Sequence, residues 1–477
     1  MEEKVSEERT RRENRNETVE RMLTEKVSTL ILKNAVPTIC SMMVTALYNT
    51  ADTFFVSRLG TSASGAVGII FSIMAIIQAF GFTIGMGSGS IVSRLLGGGD
   101  TKKASTYTST AIILAFSLGT VLGTMGLIFQ DGITRRLGAT ETILPYARAY
   151  AHYILIGTPF FMTSFVMNNL LRWQGKAALA TVGLTTGGIL NMVLDPLFIF
   201  GFKLGIKGAA IATLTSQFIS FSILLSMFLR KKSVTDFSPA YISKNKSDYA
   251  AIFRTGFPSF CRQGIGSFAM IALNMQARKY GALSPISGFS ADATIAAMAI
   301  TNRLFMFLMS VALGLGQGFQ PVCGMNFGAK KYDRVKEGFF FLVKITALIL
   351  SVLALSVFIF APQITRLFRD DPNVINTARL ALRAQALIIP LHALIFGANT
   401  MLQTTGKPEQ ATFLSSLRQG LYFLPLILIL PYFFGVRGVQ TAQAIADTLT
   451  ALTSVPFIIS FFNHLDQNKS VHQNSTQ

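Results

Sequence analysis

The sequence predicts an all-α polytopic membrane protein, with twelve transmembrane helices in two pseudo-symmetric six-helix lobes that are parallel repeats. Three observations predict this class: low charge, long apolar runs and an ordered internal repeat. Only 14% of the 477 residues are charged, which is too little to cover the surface of a soluble chain of this length. A bilayer removes that requirement, because lipid solvates an apolar exterior.

The apolar runs are long enough to cross the hydrocarbon core, which takes about 20 residues per helix. Short connections rich in glycine and basic residues separate them. The predicted spans are 32–57, 65–93, 105–130, 144–171, 177–202, 207–230, 252–280, 294–325, 338–362, 375–403, 410–434 and 436–463.

These spans divide the chain into two lobes with polar segments around them. The predicted parts are an N-terminal tail at 1–31, a first lobe at 32–230, a linker at 231–250, a second lobe at 251–463 and a C-terminal tail at 464–477.

Basic residues set the predicted orientation. Connections after even-numbered spans carry more Lys and Arg than the others, most clearly in the basic 230–246 segment. Because positively charged loops stay in the cytoplasm, we predict a multi-pass protein of the cell membrane with both termini cytoplasmic. Topology also accounts for the formal charge of +19, so we expect lipid neighbours and no nucleic acid partner.

The two halves of the chain repeat each other in order. Pro159 and Asn168 match Pro390 and Asn399, and Gly205-Ile-Lys-Gly208 matches Gly435-Val-Arg-Gly438. Both halves begin on the predicted cytoplasmic side, so the repeats are parallel. Parallel repeats with a cleft between them are typical of secondary transporters; a duplicated structural or enzyme scaffold is the alternative.

Only three acidic residues fall within the predicted spans: Asp52, Asp195 and Asp447. An ionisable side chain inside hydrocarbon costs about 2.5–3.5 kcal/mol on insertion scales, so each one suggests a function. Asp52 lies 18 residues after Asn34, and Asp195 lies 18 residues after Ala177. Both spans rise from the same side, which puts both carboxyl groups at a depth of about 27 Å.

Polar neighbours are predicted at the same depth. Asn191 precedes Asp195 by one helical turn, and Tyr48 has the same relation to Asp52. Thr213, six residues into the descending sixth span, reaches a similar height. We therefore predict a polar chamber in the first lobe, which can share a proton or hold a small cation such as Na⁺. A hydrogen-bonded pair that only fixes helix packing is the alternative, and Asp447 is open to a packing role.

The second half lacks these acids. The residues equivalent to Asp52, Asn191 and Asp195 are Leu273, Leu421 and Pro425. Its spans carry basic residues instead, among them Arg262, Arg303 and Arg418, which either line a substrate cavity or reach polar surroundings as structural residues. If they face the cavity, we expect anionic aromatic compounds among the substrates beside cations.

Other classes of site find little support. Cys40, Cys261 and Cys323 lie in or beside apolar runs without metal-ligand spacing, so we predict neither a disulfide framework nor a metal site. No phosphate-binding loop and no nucleophile constellation occurs. We expect no enzyme activity and no cofactor apart from a coupling ion.

Three motifs in this chain resemble the multidrug and toxic compound extrusion (MATE) family, in particular its bacterial branch of MepA-like and DNA-damage-inducible exporters. The first runs from Asn49 to Gly60, and the second joins Asn191-Met-Val-Leu-Asp195-Pro196 to the Gly205–Thr213 segment. The third runs from Gly318-Phe-Gln-Pro321 to Lys330. The resemblance covers roughly residues 25–463.

The resemblance implies a cation-coupled antiporter that exports amphipathic drugs or toxic organic compounds by alternating access, from an outward-open V between two lobes. It makes Asp52 and Asp195 the coupling acids, with Asn191, Thr213, Tyr48 and Asn168 as polar partners and Pro37 as a bend in the first helix. H⁺ is the favoured ion, since the second lobe lacks acids, and Na⁺ is possible. We expect a monomer.

A lipid-linked precursor flippase of the same superfamily is the alternative. Such a protein needs a cationic cavity for pyrophosphate, which Arg262, Arg303 and Arg418 would supply. The paired acids of the first lobe speak against it.

Overall fold

The computed structural model of the chain describes residue 13 and residues 15–282 and 290–474. All regular elements in these residues are helical. The twelve long helices are α1 (Val27–Ser57), α2 (Thr61–Gly97), α3 (Thr101–Ile128), α4 (Leu144–Trp173), α5 (Ala177–Gly201), α6 (Ile206–Leu229), α7 (Lys246–Ala282), α8 (Ala291–Gly328), α9 (Tyr332–Phe368), α10 (Pro372–Thr404), α11 (Pro408–Phe434) and α12 (Val436–Asn474).

Eleven of these helices are long and apolar enough to cross a membrane, by length and composition. The exception is α7, which is 37 residues long but carries charged residues along its length, including Arg254 and Arg262. It occupies the predicted seventh span. The predicted all-helical polytopic fold class is therefore confirmed, with α7 as its least apolar helix.

Helix packing divides the chain into two compact units. The first unit comprises the described residues up to Phe260 together with Gly324–Lys330, and the second comprises Cys261–Cys323 and the described residues from Lys331 onward. Helices α7 and α8 contribute to both units. The predicted lobe boundaries at 32–230 and 251–463 stay a prediction.

The polar segments outside the spans are partly ordered. The predicted tails, 1–31 and 464–477, extend beyond the described residues at both ends. Within the N-terminal tail, residues 15–24 form a helix whose Met22 is buried, and Asn326 donates to its carbonyl at 3.0 Å. In the predicted linker, the backbone of Val234 donates to Gln174 Oε1 at 2.8 Å, so this segment packs on the first unit.

Glycines in α2 allow helices to approach closely. A Cβ on Gly256 of α7 would overlap the Thr83 carbonyl of α2, and a Cβ on Gly87 would overlap the Ile252 carbonyl of α7. Small residues at such crossings let helix backbones touch. The run of glycines that the sequence presents near the end of α2 therefore serves packing here.

Four spans depart from regular α-helix: α9 is kinked at Phe360 (φ −97°, ψ 19°), and the other three contain short turns of another helix type. Helix α5 ends in a π turn, Leu197–Gly201, directly after Pro196. Helix α10 is interrupted by a 3₁₀ turn at Ile389–Leu391, and α11 contains a π turn at Leu417–Leu421. Proline lacks the N–H that a helix needs, so Pro196 leaves the carbonyl of Met192 without its helical donor beside Asp195.

The internal repeat is visible in the backbone. Gly205 has φ 57° and ψ −134°, and its partner Gly435 has φ 55° and ψ −135°, a left-handed conformation that glycine adopts without strain. The side chains of Asn168 and Asn399 each donate to a carbonyl twelve residues later, at 2.8 Å in both cases. The two halves therefore share their connections as well as their sequence pattern.

We expect Gly256→Ala to lower the thermal midpoint of the purified protein, because its Cβ would overlap the Thr83 carbonyl and overpacking costs about 1–3 kcal/mol. Gly264 in the same helix is the matched control, since a Cβ there meets nothing within 4 Å. Gly264→Ala should leave the midpoint unchanged or raise it slightly. Equal midpoints for the two variants would contradict the close contact of α2 and α7.

A buried carboxyl pair in the first unit

The first unit brings two acids together from different helices. Asp52 lies near the end of α1, and Asp195 lies in the last α-helical turn of α5, where Pro196 and the π turn follow. The side chain of Asp195 is fully buried, and Asp52 is partly buried. Their carboxyl groups lie close enough to interact with each other.

The proximity of the two carboxyl groups bears on their protonation state. A carboxylate only accepts hydrogen bonds, whereas a protonated carboxyl can donate one. A hydrogen bond between Asp52 and Asp195 therefore requires that one of them holds a proton. Two ionised carboxylates in a buried site would repel each other strongly.

Asn191 connects the pair to α6. Its Nδ2 donates to Asp195 Oδ1 and to Thr213 Oγ1, at 3.3 Å in each case. Asn191 and Thr213 are both buried. The i,i+4 spacing of Asn191 and Asp195 on α5 puts the amide and the carboxyl on one face of the helix.

Several oxygens of this group have no hydrogen-bond partner among the described residues: Asp52 Oδ1, Asn191 Oδ1 and Asp195 Oδ2. A buried acceptor without a partner costs about 1–3 kcal/mol. The group therefore has capacity to bind a proton, a water molecule or a small cation.

Two tyrosines adjoin the pair. Tyr48 of α1 packs over Gly188 of α5, where a Cβ would lie 3.4 Å from the Tyr48 ring. Tyr150 of α4 is buried and lies close to Thr213. Both tyrosines lie close enough to interact electrostatically with Asp52 and Asp195. Tyr48 was among the residues predicted from the sequence, and Tyr150 was not.

A signal for Tyr150 was present in the sequence. Tyr150 is six residues into the descending fourth span, just as Thr213 is six residues into the descending sixth. The depth argument that selected Thr213 selects Tyr150 as well.

The predicted site residue Asn168 lies apart from this group. Its Nδ2 donates to the Ala180 carbonyl near the start of α5, which is fifteen residues, or about 22 Å along the helix, from Asp195. The equivalent Asn399 makes the same bond in the second unit. This geometry favours a structural role in the connection between spans.

Pro37 lies inside α1, in contact with α5 through its carbonyl, which accepts from Thr181 Oγ1 at 2.9 Å. The hinge role of Pro37 stays a prediction.

Two lysines in equivalent connections of the repeat share an environment. Burial lowers the pKa of Lys176, in the α4–α5 connection, and that of its repeat partner Lys407.

The second unit holds a different cluster. Arg418 Nε donates to Asp447 Oδ1 at 2.9 Å, and His392 Nε2 lies 3.2 Å from Asp447 Oδ2. Arg303 lies on α8 and is exposed. Asp447, isolated in the sequence argument, is thus the acid of a buried ion-pair cluster, and only two of the three predicted cavity arginines, Arg262 and Arg418, lie together.

Comparison with known proteins gives consistent results. The MatE family model matches residues 37–197 and 284–429, more than half of the chain. The multidrug export protein MepA of Staphylococcus saprophyticus is 27% identical over 437 residues, which cover 91% of this chain and 94% of that protein.

Solved structures agree as well. An outward-facing multidrug resistance MATE family transporter of the MOP superfamily is 25% identical, with a TM-score of 0.87 over 94% of this chain and 98% of that one. A MOP superfamily transporter from Pyrococcus furiosus, described as having a binding pocket of reverse polarity, is 26% identical with a TM-score of 0.86 over 94% and 98% of the two chains.

Thr213→Val should destabilise the first unit, because it removes an acceptor of Asn191 while keeping the shape of the side chain. The expected loss is about 1–2 kcal/mol in unfolding free energy, measured as a lower thermal midpoint in detergent. Thr215→Val is the control on the same helix, since no side-chain bond involves Thr215 in the described residues. A Thr213→Val midpoint equal to that of the control would show that the bond contributes nothing.

Proposed function

The chain belongs to the MatE family of transporters, and from this premise we propose that it is a proton-coupled antiporter that exports amphipathic organic compounds. The observation that carries the proposal is the proximity of the Asp52 and Asp195 carboxyl groups in a buried site, where a shared proton removes the repulsion between two ionised groups. The names of the MepA relatives and the multidrug resistance neighbour support the substrate class.

Proton exchange at this pair links the ion to the substrate. With the shared proton the pair carries one negative charge, and without it the pair carries two. A lipophilic cation is attracted to the more negative form, and the adjacent, half-buried ring of Tyr48 offers an aromatic face to it. Substrate binding and proton binding then oppose each other, which is the requirement for antiport.

Na⁺ is the second candidate for the coupling ion. The partnerless oxygens Asn191 Oδ1 and Asp195 Oδ2 are hard ligands of the kind that small cations prefer. The carboxyl–carboxyl contact favours H⁺, since a bound Na⁺ would have to separate the two groups. Alternating access, a monomeric state, and insertion in the cell membrane with both termini cytoplasmic complete the proposal.

Export of a lipid-linked precursor is the second candidate function. Arg262 and Arg418 line one recess in the second unit, and guanidinium pairs suit phosphate groups. The carboxyl pair of the first unit has no part in such a mechanism, so drug export accounts for more of the molecule.

We expect Asp52→Asn and Asp195→Asn each to reduce gradient-driven dye efflux in everted vesicles to the background rate, while the protein still inserts. Each variant replaces one carboxyl group by an amide, so the remaining carboxyl group has no second one with which to share a proton. Asp131→Asn is the control, because Asp131 is exposed and pairs only loosely with Arg148, at 3.4 Å. Normal efflux by both pair variants would refute coupling at this site.

The coupling ion is tested with imposed gradients in proteoliposomes of the wild-type protein. A pH gradient alone should drive uptake of a cationic dye, and an Na⁺ gradient alone should not. Transport that follows the Na⁺ gradient after the pH gradient is collapsed would assign the site to Na⁺ instead.

A further inference from the structure

A recess in the second unit offers positive charge next to apolar side chains. Helices α7, α10 and α11 line a small recess there, with a cavity volume of about 20 Å³. Two guanidinium groups, of Arg262 and Arg418, face this space together with polar and apolar neighbours. The other lining residues are Ile395, Phe396, Asn399, Leu414, Ser415 and Gln419.

Arg418 is held in place from one side. Its Nε donates to Asp447 Oδ1 at 2.9 Å, and its guanidinium stacks over the Phe305 ring, 5.0 Å from the centroid. Asp447 is further engaged by Gln443, which donates at 2.9 Å, and by His392. These contacts fix the plane of the guanidinium, and the described residues use only Nε for a hydrogen bond, so its terminal nitrogens remain available to a ligand.

Arg262 has no acidic partner within 4 Å among the described residues. The charged group that interacts with it is Arg418, which has the same sign. The recess therefore holds two positive charges, and Asp447 neutralises only that of Arg418. A half-buried charge without a partner is costly. An anion between the two arginines would remove that cost.

The backbone of α11 departs from regular α-helix beside the recess. Arg418 and Gln419 belong to the π turn Leu417–Leu421, whereas the equivalent positions in the first half, 187–191, are regular α-helix. Such turns are frequent at functional sites. On α7, Gly266 lies one turn after Arg262, and a Cβ there would lie 2.7 Å from Gln419 Oε1. The glycine therefore lets α11 bring Gln419 beside Arg262.

We propose that this recess binds the anionic group, a carboxylate or a phosphate, of an amphipathic ligand. Arg262 and Arg418 engage the charged oxygens with their planar donor forks. The apolar part of the ligand contacts Phe396, which is half-buried, whereas Ile395 and Leu414 are buried. As a substrate subsite this rests on the proposed export function, but the binding itself needs no gradient and no carboxyl pair.

The test is calorimetric titration of the purified full chain in detergent with naphthyl phosphate and 2-naphthoate. The neutral isostere 2-naphthamide is the matched ligand control. We expect both anions to bind and the amide to bind at least about tenfold more weakly, the size of a lost charged hydrogen bond. Equal affinity for naphthoate and naphthamide would overturn the proposal.

Variants locate the site. Arg262→Gln should weaken naphthoate about tenfold or more. Because Arg418→Gln would leave Asp447 without its partner and could unfold the unit, Arg418→Lys is the second variant: it keeps the charge and loses the fork, so it should weaken naphthyl phosphate. Arg383→Gln is the control, since Arg383 donates to the Phe358 carbonyl elsewhere in the unit. Unchanged affinity in Arg262→Gln would overturn the assignment.

Competition with lipids distinguishes a lipid headgroup from a soluble anion as the natural occupant. In nanodiscs, phosphatidylglycerol that displaces naphthyl phosphate, when phosphatidylcholine does not, would identify a lipid headgroup as occupant. Binding that neither lipid affects would identify a soluble anion. Asp195→Asn should retain naphthoate binding while it loses transport, so failure of this proposal and failure of the coupling proposal give different results.

Discussion

The carboxyl groups of Asp52 and Asp195 lie close together in a buried site, where they repel each other unless a proton or another cation is bound between them. Helices α1 and α5 meet at that contact, with Asp195 fully buried. Asn191 and Thr213 extend it to α6, and Tyr150 extends it to α4. Loss or gain of a proton at the carboxyl pair therefore changes the contacts among four helices, α1, α4, α5 and α6. Such a set of contacts is the kind of two-state element that coupling needs.

The two halves keep one backbone plan and differ in chemistry. Gly205 and Gly435 have nearly identical backbone angles, while Gly188, which makes room for Tyr48, is matched in the second half by Arg418. A small residue beside a carboxyl pair in one half thus corresponds to a guanidinium beside a buried acid in the other. Duplication preserved the connections, where conformation is restricted, and the sites between them diverged.

The sequence was sufficient for the fold class and for the core of the site. Apolar runs and the repeat predict the helices, because both follow from local composition. Counting residues from the span boundaries places Asp52, Asp195 and Thr213 at one depth, since a helix rises by a fixed distance per residue. The same count includes Tyr150, which the sequence analysis did not consider.

Other features depend on rotation and packing, which depth alone does not determine. Asn168 was predicted to be a polar partner of the site, and its amide donates to the Ala180 carbonyl near the start of α5. Arg262 and Arg418 come together whereas Arg303 is exposed, and no spacing in the sequence separates these cases. The π turn in α11 was also unpredictable, because no proline or glycine pattern distinguishes its start from a regular helix.

We propose that the carboxyl pair of the first unit holds a proton at neutral pH and releases it when substrate binds. Infrared difference spectroscopy of the protein in lipid, wild type minus the double variant Asp52→Asn/Asp195→Asn, measures this directly. We expect a protonated-carboxyl C=O band from the wild-type protein that disappears when a cationic substrate is added. A difference spectrum that shows only carboxylate bands, before and after substrate, would contradict it.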